Sequence, residues 1–392
     1  MRRFVLLVAG LALLAGFAAS MSGGGTQAEA RWVITDLGTL GGRYSEALVI
    51  NDHGQVAGNS DTRVKGIDGE PVGHAFLWQK GKIRDLGTLP GRPDSWPQAI
   101  NDRGQIVGYA QTKVKYKQGE PEGHAFLWEK GRMRDLGTLG GLESGASDIN
   151  ERGQIVGGAD VRGGDEHAFL WQAGKMRDLG VGTAVDINDR GEIVGWSEVG
   201  GFEHAVLWQD GKRHDLGTLP GGWWSRAVAI NERSEIVGAS NSGARDAEGT
   251  PVQHAFLWQN GKMLDLGTLG GSESATDEQV ALNGHREVIG VSDIKTQKSG
   301  TQLQHAFLWQ KGRMRDLGTL GGEESVARAL NERGQIVGWS YTRPSYSAPH
   351  AFVWQGGKML DLGGWMALAI NDRSQVVGYS AKPHAVLWTL KH

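Results

Sequence analysis

The sequence predicts an all-β fold, a single β-propeller of eight four-stranded blades. Three observations predict it. A five-residue phrase, His-Ala-Phe-Leu-Trp with its variants HAVLW and HAFVW, begins at His74, His124, His167, His204, His254, His305, His350 and His384. Successive histidines stand from 34 residues (His350 to His384) to 51 residues (His254 to His305) apart, which is the period range of propeller blades. The two ends of the chain also complement each other. The last unit stops at HAVLWTLKH, residues 384–392, without the strand that follows the phrase elsewhere. At the other end, Arg31-Trp32-Val33-Ile34-Thr35-Asp36-Leu37-Gly38 aligns through Ile34-Thr35-Asp36 with Ile83-Arg84-Asp85 and Met133-Arg134-Asp135. Pairing of this N-terminal strand with the C-terminal blade closes the ring and leaves no long sheet edge open. An open solenoid would need polar capping units, and neither end reads as one.

Taken in order, residues 1–30 are expected to lie outside the propeller, which spans 31–392. Arg2 and Arg3 precede an apolar run from Phe4 to Ala19, short for a membrane span, and Ala28-Glu29-Ala30 offers a small-x-small cleavage site before Arg31. This reads as a secretory signal peptide, with an uncleaved anchor as the alternative, and so predicts a secreted, periplasmic or cell-surface chain with no membrane attachment after cleavage. There is no cysteine, hence no disulfide and no lipoprotein acceptor, so stability must come from core and backbone ladders.

The repeating unit accounts for the rest. In HAFLW, His, Phe and Trp alternate with Ala and Leu, so both faces of an extended strand carry apolar bulk, as in a strand covered on both sides. A short Gly-containing turn (QKGK, QNGK) leads to KIRDLG or KMLDLG, which pairs back as a hairpin. Unit two reads as four strands: Gln98 to Asn101, Gln105 to Ala110, His124 to Trp128 and Arg132 to Leu136. Asn-Asp-Arg-Gly between the first two is a turn cluster. The composition, with 62 Gly, 10 Pro and 15 Trp and no sustained period of 3.6, suits an all-β body. A net charge of −3 supplies no basic field, so nucleic acid is not expected as a partner. A monomer is expected.

These phrases resemble a known family, the extracellular HAF repeat proteins, named for the His-Ala-Phe seen at residues 74–76. The resemblance covers residues 31–392 and rests on HAFLW, on Asp-Leu-Gly (Asp36, Asp85, Asp135, Asp178, Asp215, Asp265, Asp316, Asp361) and on the asparagines Asn51, Asn101, Asn150, Asn188, Asn231, Asn283, Asn331 and Asn371. It implies export and a repeat architecture, and brings no catalytic residue with it. Units four (DLGVGTAVDIN) and eight (DLGGWMALAIN) lose most of the Thr-Leu-Gly-Gly segment, and unit six has Asn-Gly-His-Arg for Asn-Asp-Arg-Gly. Regular blades are least expected there.

The histidines and aspartates that recur in each unit invite a metal or acid-base reading. A residue repeated in every blade lies on a ring too wide to converge, so we read His74, His124, His167, His204, His254, His305, His350 and His384 as structural, each satisfied by backbone or by Asp within its blade. Asn-Asp-x-Gly lacks the alternating oxygen ligands of a calcium loop, and DLGTLGG has neither helix nor Lys-Ser/Thr, so no metal, cofactor or phosphate site is expected. The units differ most between the second and third strands: Asp61 to Gly73, Gln111 to Gly123, Asn241 to Gln253 and Asp293 to Gln304 are long, while Ala381 to Pro383 is short. These loops share a face with the connections between blades, which places a binding surface there. Five unshared aromatics, Tyr44, Trp96, Trp223, Trp224 and Trp365, fall between an Asp-Leu-Gly and the following inner strand, at the entrance to the channel, and are candidates for stacking on a glycan or a protein ligand; packing at the channel mouth or between blades is the alternative. Two functions stay open: a non-catalytic extracytoplasmic binding or scaffold protein, with no catalytic residue, and a secreted hydrolase or lyase of polysaccharide using acids such as Asp94, Glu143, Asp277, Glu278, Glu323 or Glu324.

Overall fold

Alternating apolar positions separated by tight turns fold here into eight antiparallel four-stranded sheets arranged as the blades of a ring. The computed structural model describes residues 31–391 except 67–68, 116–120, 247–248, 276–279, 295–302 and 344–348. The expected signal peptide, residues 1–30, lies outside the described residues, as do Asp277 and Glu278. Blade one consists of Gly41–Ile50, Val56–Lys65, Pro71–Gln79 and Lys82–Asp85 in that spatial order. The first strand of each blade meets its counterparts in the neighbouring blades around a central channel, and the fourth strand lies on the rim.

The five-residue phrase is the joint between blades. The Ala and Leu of one blade's third strand face the Phe and Trp of the next: Ala75 and Leu77 pack with Phe126 and Trp128, and Ala125 and Leu127 with Phe169 and Trp171. Small meets large at each interface, so one sequence fills the gap on both of its sides. Every phenylalanine of the phrase is fully buried. On the rim an arginine of one blade covers the next blade's tryptophan, with Arg84 5.3 Å from the Trp128 centroid, Arg134 5.2 Å from Trp171 and Arg315 5.2 Å from Trp354.

The inner strand is longer than the alternation suggests. In unit two it runs Gly91–Ile100 and not from Gln98 to Asn101, and Asn101 belongs to the turn. A register shift between Pro97 and Ala99 sets Gln98 outside the ladder, and this bulge breaks the period that marks the strand's start. The bulge also explains the glycine at the third position of the second strands, preceded by Ile-Val in five of them. A Cβ on Gly108 would lie 2.0 Å from the Trp96 carbonyl oxygen and one on Gly238 2.0 Å from that of Arg226, so only hydrogen fits.

The ring closes by pairing the two ends. Arg31–Gly38 is the fourth strand of blade eight, antiparallel to Ala385–Lys391 with Arg31 opposite Lys391 and Gly38 opposite Ala385. Blades four and eight remain four-stranded without the Thr-Leu-Gly-Gly segment. Blade six is irregular, with its inner strand in two pieces, Gly270–Ser274 and Ala281–Leu282.

Candidate ligand-binding face

The repeated His and Asp form one pair per blade. Nδ1 of His74, His124, His167, His204, His254, His305, His350 and His384 lies 2.8–3.0 Å from a carboxylate oxygen of Asp85, Asp135, Asp178, Asp215, Asp265, Asp316, Asp361 and Asp36. Each Asp also accepts from the N–H of the glycine two residues on, as Asp135 does from Gly137 at 2.7 Å. The pair thus ties the third strand to the fourth and fixes the turn beyond. Burial pushes the Asp135 carboxyl up, but the His124 hydrogen bond and the Gly137 N–H outweigh it and hold the group below its usual range. A lowered carboxyl adds stability above its unfolded value and loses it as pH falls through the folded one. His124→Ala should therefore destabilise at neutral pH, and its cost should shrink as pH falls below about 4. Since Asp135 is 44% exposed, the neutral-pH cost is about 1 kcal/mol. Urea unfolding at neutral pH and below about pH 4 checks this, and an equal loss at the two would show that the pair has another role.

On the opposite side of each blade the turn asparagines do more than turn the chain. Their side-chain amides run from blade to blade, each donating to the next asparagine's carbonyl: Asn51 to Asn101 at 2.9 Å, Asn188 to Asn231 at 3.2 Å, and finally Asn371 back to Asn51 at 2.9 Å. The acid after each asparagine accepts from the preceding blade's backbone, as Asp102 does from the Asp52 N–H at 2.9 Å. In blade six Gly284 occupies that position and supplies no carboxylate. These residues ring the channel on the turn face. Among the described residues no group of three or more His, Cys, Asp or Glu is placed to hold a metal ion.

The loop face separates the five aromatics. Tyr44 sits within the inner strand Gly41–Ile50, half-buried, and its hydroxyl donates to Glu46 Oε2 at 2.7 Å; burial raises both groups, and the carboxylate beside it raises the tyrosine further. Trp96 lies in Gly91–Ile100 against Tyr109, ring centroids 5.9 Å apart. Trp365 meets Tyr379 edge-on at 6.0 Å, with its indole nitrogen buried and unpartnered. Trp224 packs against the core between blades five and six. Trp223 alone of the five is largely exposed, 47%, and its ring lies 5.4 Å from that of Phe202, itself 49% exposed. Of the acids, Asp94 is taken up by the Gly73 N–H at 2.8 Å, the Glu143 N–H donates to Asp160 at 3.3 Å, and burial with the neighbouring Glu323 raises Glu324.

A polar stack supports the exposed pair. Arg226 lies between two indoles, 4.8 Å from the Trp196 centroid and 5.8 Å from that of Trp224. Its guanidinium is 2.7 Å from Glu203 Oε2, and the Trp224 indole N–H donates to the same oxygen at 3.0 Å. Glu203 follows Phe202 and Trp224 follows Trp223, so the stack fixes the backbone that carries both exposed rings. Trp196, Phe202, Glu203 and Arg226 were not among the residues the sequence singled out. Phe202 and Arg226 carry the signal of Trp223, being unshared when the eight units are laid over one another, whereas Trp196 recurs as Trp339 and Glu203 as Glu166.

No family model matches the chain, and no curated protein matches it. Solved structures similar to it are propellers or contain them. A puromycin hydrolase mutant complexed with PGG is similar at 12% identity over 86% of this chain and 58% of that one, with a TM-score of 0.51. The β-propeller domain of the Trilobed protease from Pyrococcus furiosus is similar at 12% identity over 82% of this chain and 99% of that one, with a TM-score of 0.48. The acylaminoacyl peptidase of Pyrococcus horikoshii is similar at 13% identity over 82% and 52%, with a TM-score of 0.46. The chain spans little more than half of the puromycin hydrolase and acylaminoacyl peptidase chains, and at these identities the likeness speaks to the fold alone.

Proposed function

We propose that this chain is an extracytoplasmic binding module, a relative of the HAF repeat proteins its phrases resemble, that holds a glycan on the loop face at blades four and five. The observation that carries the reading is the exposed Phe202–Trp223 pair, held by the Glu203–Arg226 stack. Two large rings left in water on a backbone held in place suit the apolar faces of sugar rings, and the neighbouring Glu203 and Arg226 suit their hydroxyls. The exposed apolar surface here is two side chains wide, well short of the roughly 800 Å² per partner of a stable protein interface. This favours a glycan over a protein.

The test is a glycan-array screen of the chain from residue 31 onward, followed by affinity and melting measurements on variants with a glycan that binds. Phe202→Ala and Trp223→Ala should each weaken binding about tenfold, ~1.4 kcal/mol, with an unchanged melting temperature. Trp224→Ala should instead lower stability by about 2–3 kcal/mol, because its ring is part of the core. If the exposed-ring variants bind as well as the parent, the site is elsewhere. If the polysaccharide is shortened during the screen, the hydrolase or lyase reading takes over, with Asp94, Glu143, Glu323 and Glu324 as the acids to replace.

A further inference from the structure

One position of the inner strand breaks the repeat in two adjacent blades. The residue that follows the bulge is Val49, Ala99, Ala229, Ala281, Ala329 or Ala369 in six blades, but Asp148 in blade three and Asp186 in blade four. A small apolar residue suffices there to build the channel wall, so two carboxyls at neighbouring positions need another reason.

Their partners connect three blades. Asp148 Oδ2 accepts from the Ile187 N–H of blade four at 3.2 Å, and Asp186 Oδ1 accepts from the same N–H at 2.8 Å. Asp186 Oδ2 reaches on to the Ile230 N–H of blade five at 2.8 Å. The two carboxyls thus converge on one N–H, and a proton on either lets it donate to the other. Both residues are half-buried. Desolvation, together with the Asp148 charge, pushes Asp186 well above the ordinary carboxylate range, and desolvation raises Asp148 too.

No Lys, Arg or His among the described residues makes an ion pair with Asp148 or Asp186. The same level of the flanking inner strands carries Gln98 and Ala99 in blade two and Val228 and Ala229 in blade five. The second strands behind bring Ile155, Val156 and Gly157 in blade three and Ile193, Val194 and Gly195 in blade four. The turns below hold Glu151 with Arg152 and Asp189 with Arg190; of these, Asp189 adds repulsion at Asp148.

The geometry points to a proton-operated clasp in the channel wall: Asp148 and Asp186 share one proton across the joint between blades three and four, and its release to solvent loosens that joint. With the proton in place, one carboxyl donates to the other while both keep their backbone donors. Without it, two carboxylates face each other with no counter-ion, and the repulsion acts between blades. The sign follows from linkage. Carboxyls raised above their unfolded value give stability that is full below that value and lost as pH rises through the folded one. The clasp is closed in acid and strained in alkali, independently of any ligand on the loop face.

The test replaces the pair by the residue most other blades use, in the double variant Asp148→Ala with Asp186→Ala, alongside Asp186→Asn, which keeps a hydrogen bond without needing the proton. Melting temperatures are read from about pH 4 to about pH 9. The double variant should melt below the parent in acid and at or above it in alkali, so the two curves cross, and Asp186→Asn should flatten the parent's decline. Infrared difference spectra, parent minus double variant, should show a protonated-carboxyl band at neutral pH. Parallel melting curves, or no such band, would overturn the clasp.

Discussion

A chain lacking residues 31–38 will aggregate, or melt far below the intact protein. The deletion removes the whole fourth strand of blade eight and uncovers the edge of Ala385–Lys391, an AVLWTLK segment of high β-propensity with a single charge. It also strips two side chains from the blade interfaces. Leu37, 5% exposed, packs with Ala47, Phe76 and Leu387 at the joint between blades eight and one, and Trp32 packs with Trp388 at the joint between seven and eight. At about 1.5–3 kcal/mol per buried side chain, with the lost ladder and the His384–Asp36 pair added, the cost reaches ~5 kcal/mol, comparable with the entire stability of many domains. Size-exclusion chromatography and thermal melting decide it. Asp36→Ala, which keeps the strand and removes the His384 pair and the acceptor of the Gly38 N–H, should cost about 1 kcal/mol and stay monomeric. A deletion variant that stays monomeric with its melting temperature unmoved would mean that the N-terminal strand does not close the ring.

What the sequence made legible was what repeats within one unit. HAFLW gives its burial on both faces directly, and the unpaired strand at each end of the array gives the closure, because both are statements about a single strand. What it hid involves partners in other blades. The Asn231 amide donates to Asn283, 52 residues away, and a short-range reading of Asn-Glu-Arg-Ser sees only a turn. The glycine of Ile-Val-Gly reads as one more strand residue until the bulged inner strand brings a carbonyl to 2.0 Å from where its Cβ would stand. The aromatics were legible as unshared but not as exposed: Trp223 and Trp224 are adjacent in sequence, yet one faces water and the other the core, and which is which depends on Phe202 and Glu203 from the neighbouring blade. Asp148 and Asp186 stand in an Asp-Ile-Asn phrase that looks like ordinary variation of Ala-Ile-Asn, and their meeting follows only from the adjacency of blades three and four.

Asn331→Ala should destabilise the propeller by about 3 kcal/mol, more than any single substitution in the acid ring beside it. The Asn331 side chain is 5% exposed and all its polar capacity is used. Its Oδ1 accepts from the N–H of Arg333 at 3.1 Å and of Gln335 at 3.0 Å, which closes the turn. Its Nδ2 donates to Gln335 Oε1 at 2.7 Å and to the Asn371 carbonyl at 3.0 Å, which ties blade seven to blade eight. Truncation leaves two N–H groups and two acceptors without this partner, at about 1–3 kcal/mol for each that water cannot reach, and the nearby channel mouth lets water relieve part of it. Glu332→Ala removes a half-exposed carboxylate that accepts from the Gly284 N–H at 2.8 Å, and should cost 1 kcal/mol or less. Asn331→Asp separates the two halves of the asparagine's role. It keeps the acceptors that close the turn but sets a carboxylate oxygen against the Asn371 carbonyl, so its charged form is disfavoured and its folded pKa is raised. That variant should approach the parent in acid and fall away as pH rises, whereas the alanine variant should be weakened at every pH. Denaturant unfolding of the three variants at about pH 4 and about pH 8 reads the difference. If Asn331→Asp tracks the parent across that range, the inter-blade amide bond contributes nothing, and the blades are held by their other contacts, the Ala-Leu to Phe-Trp packing foremost.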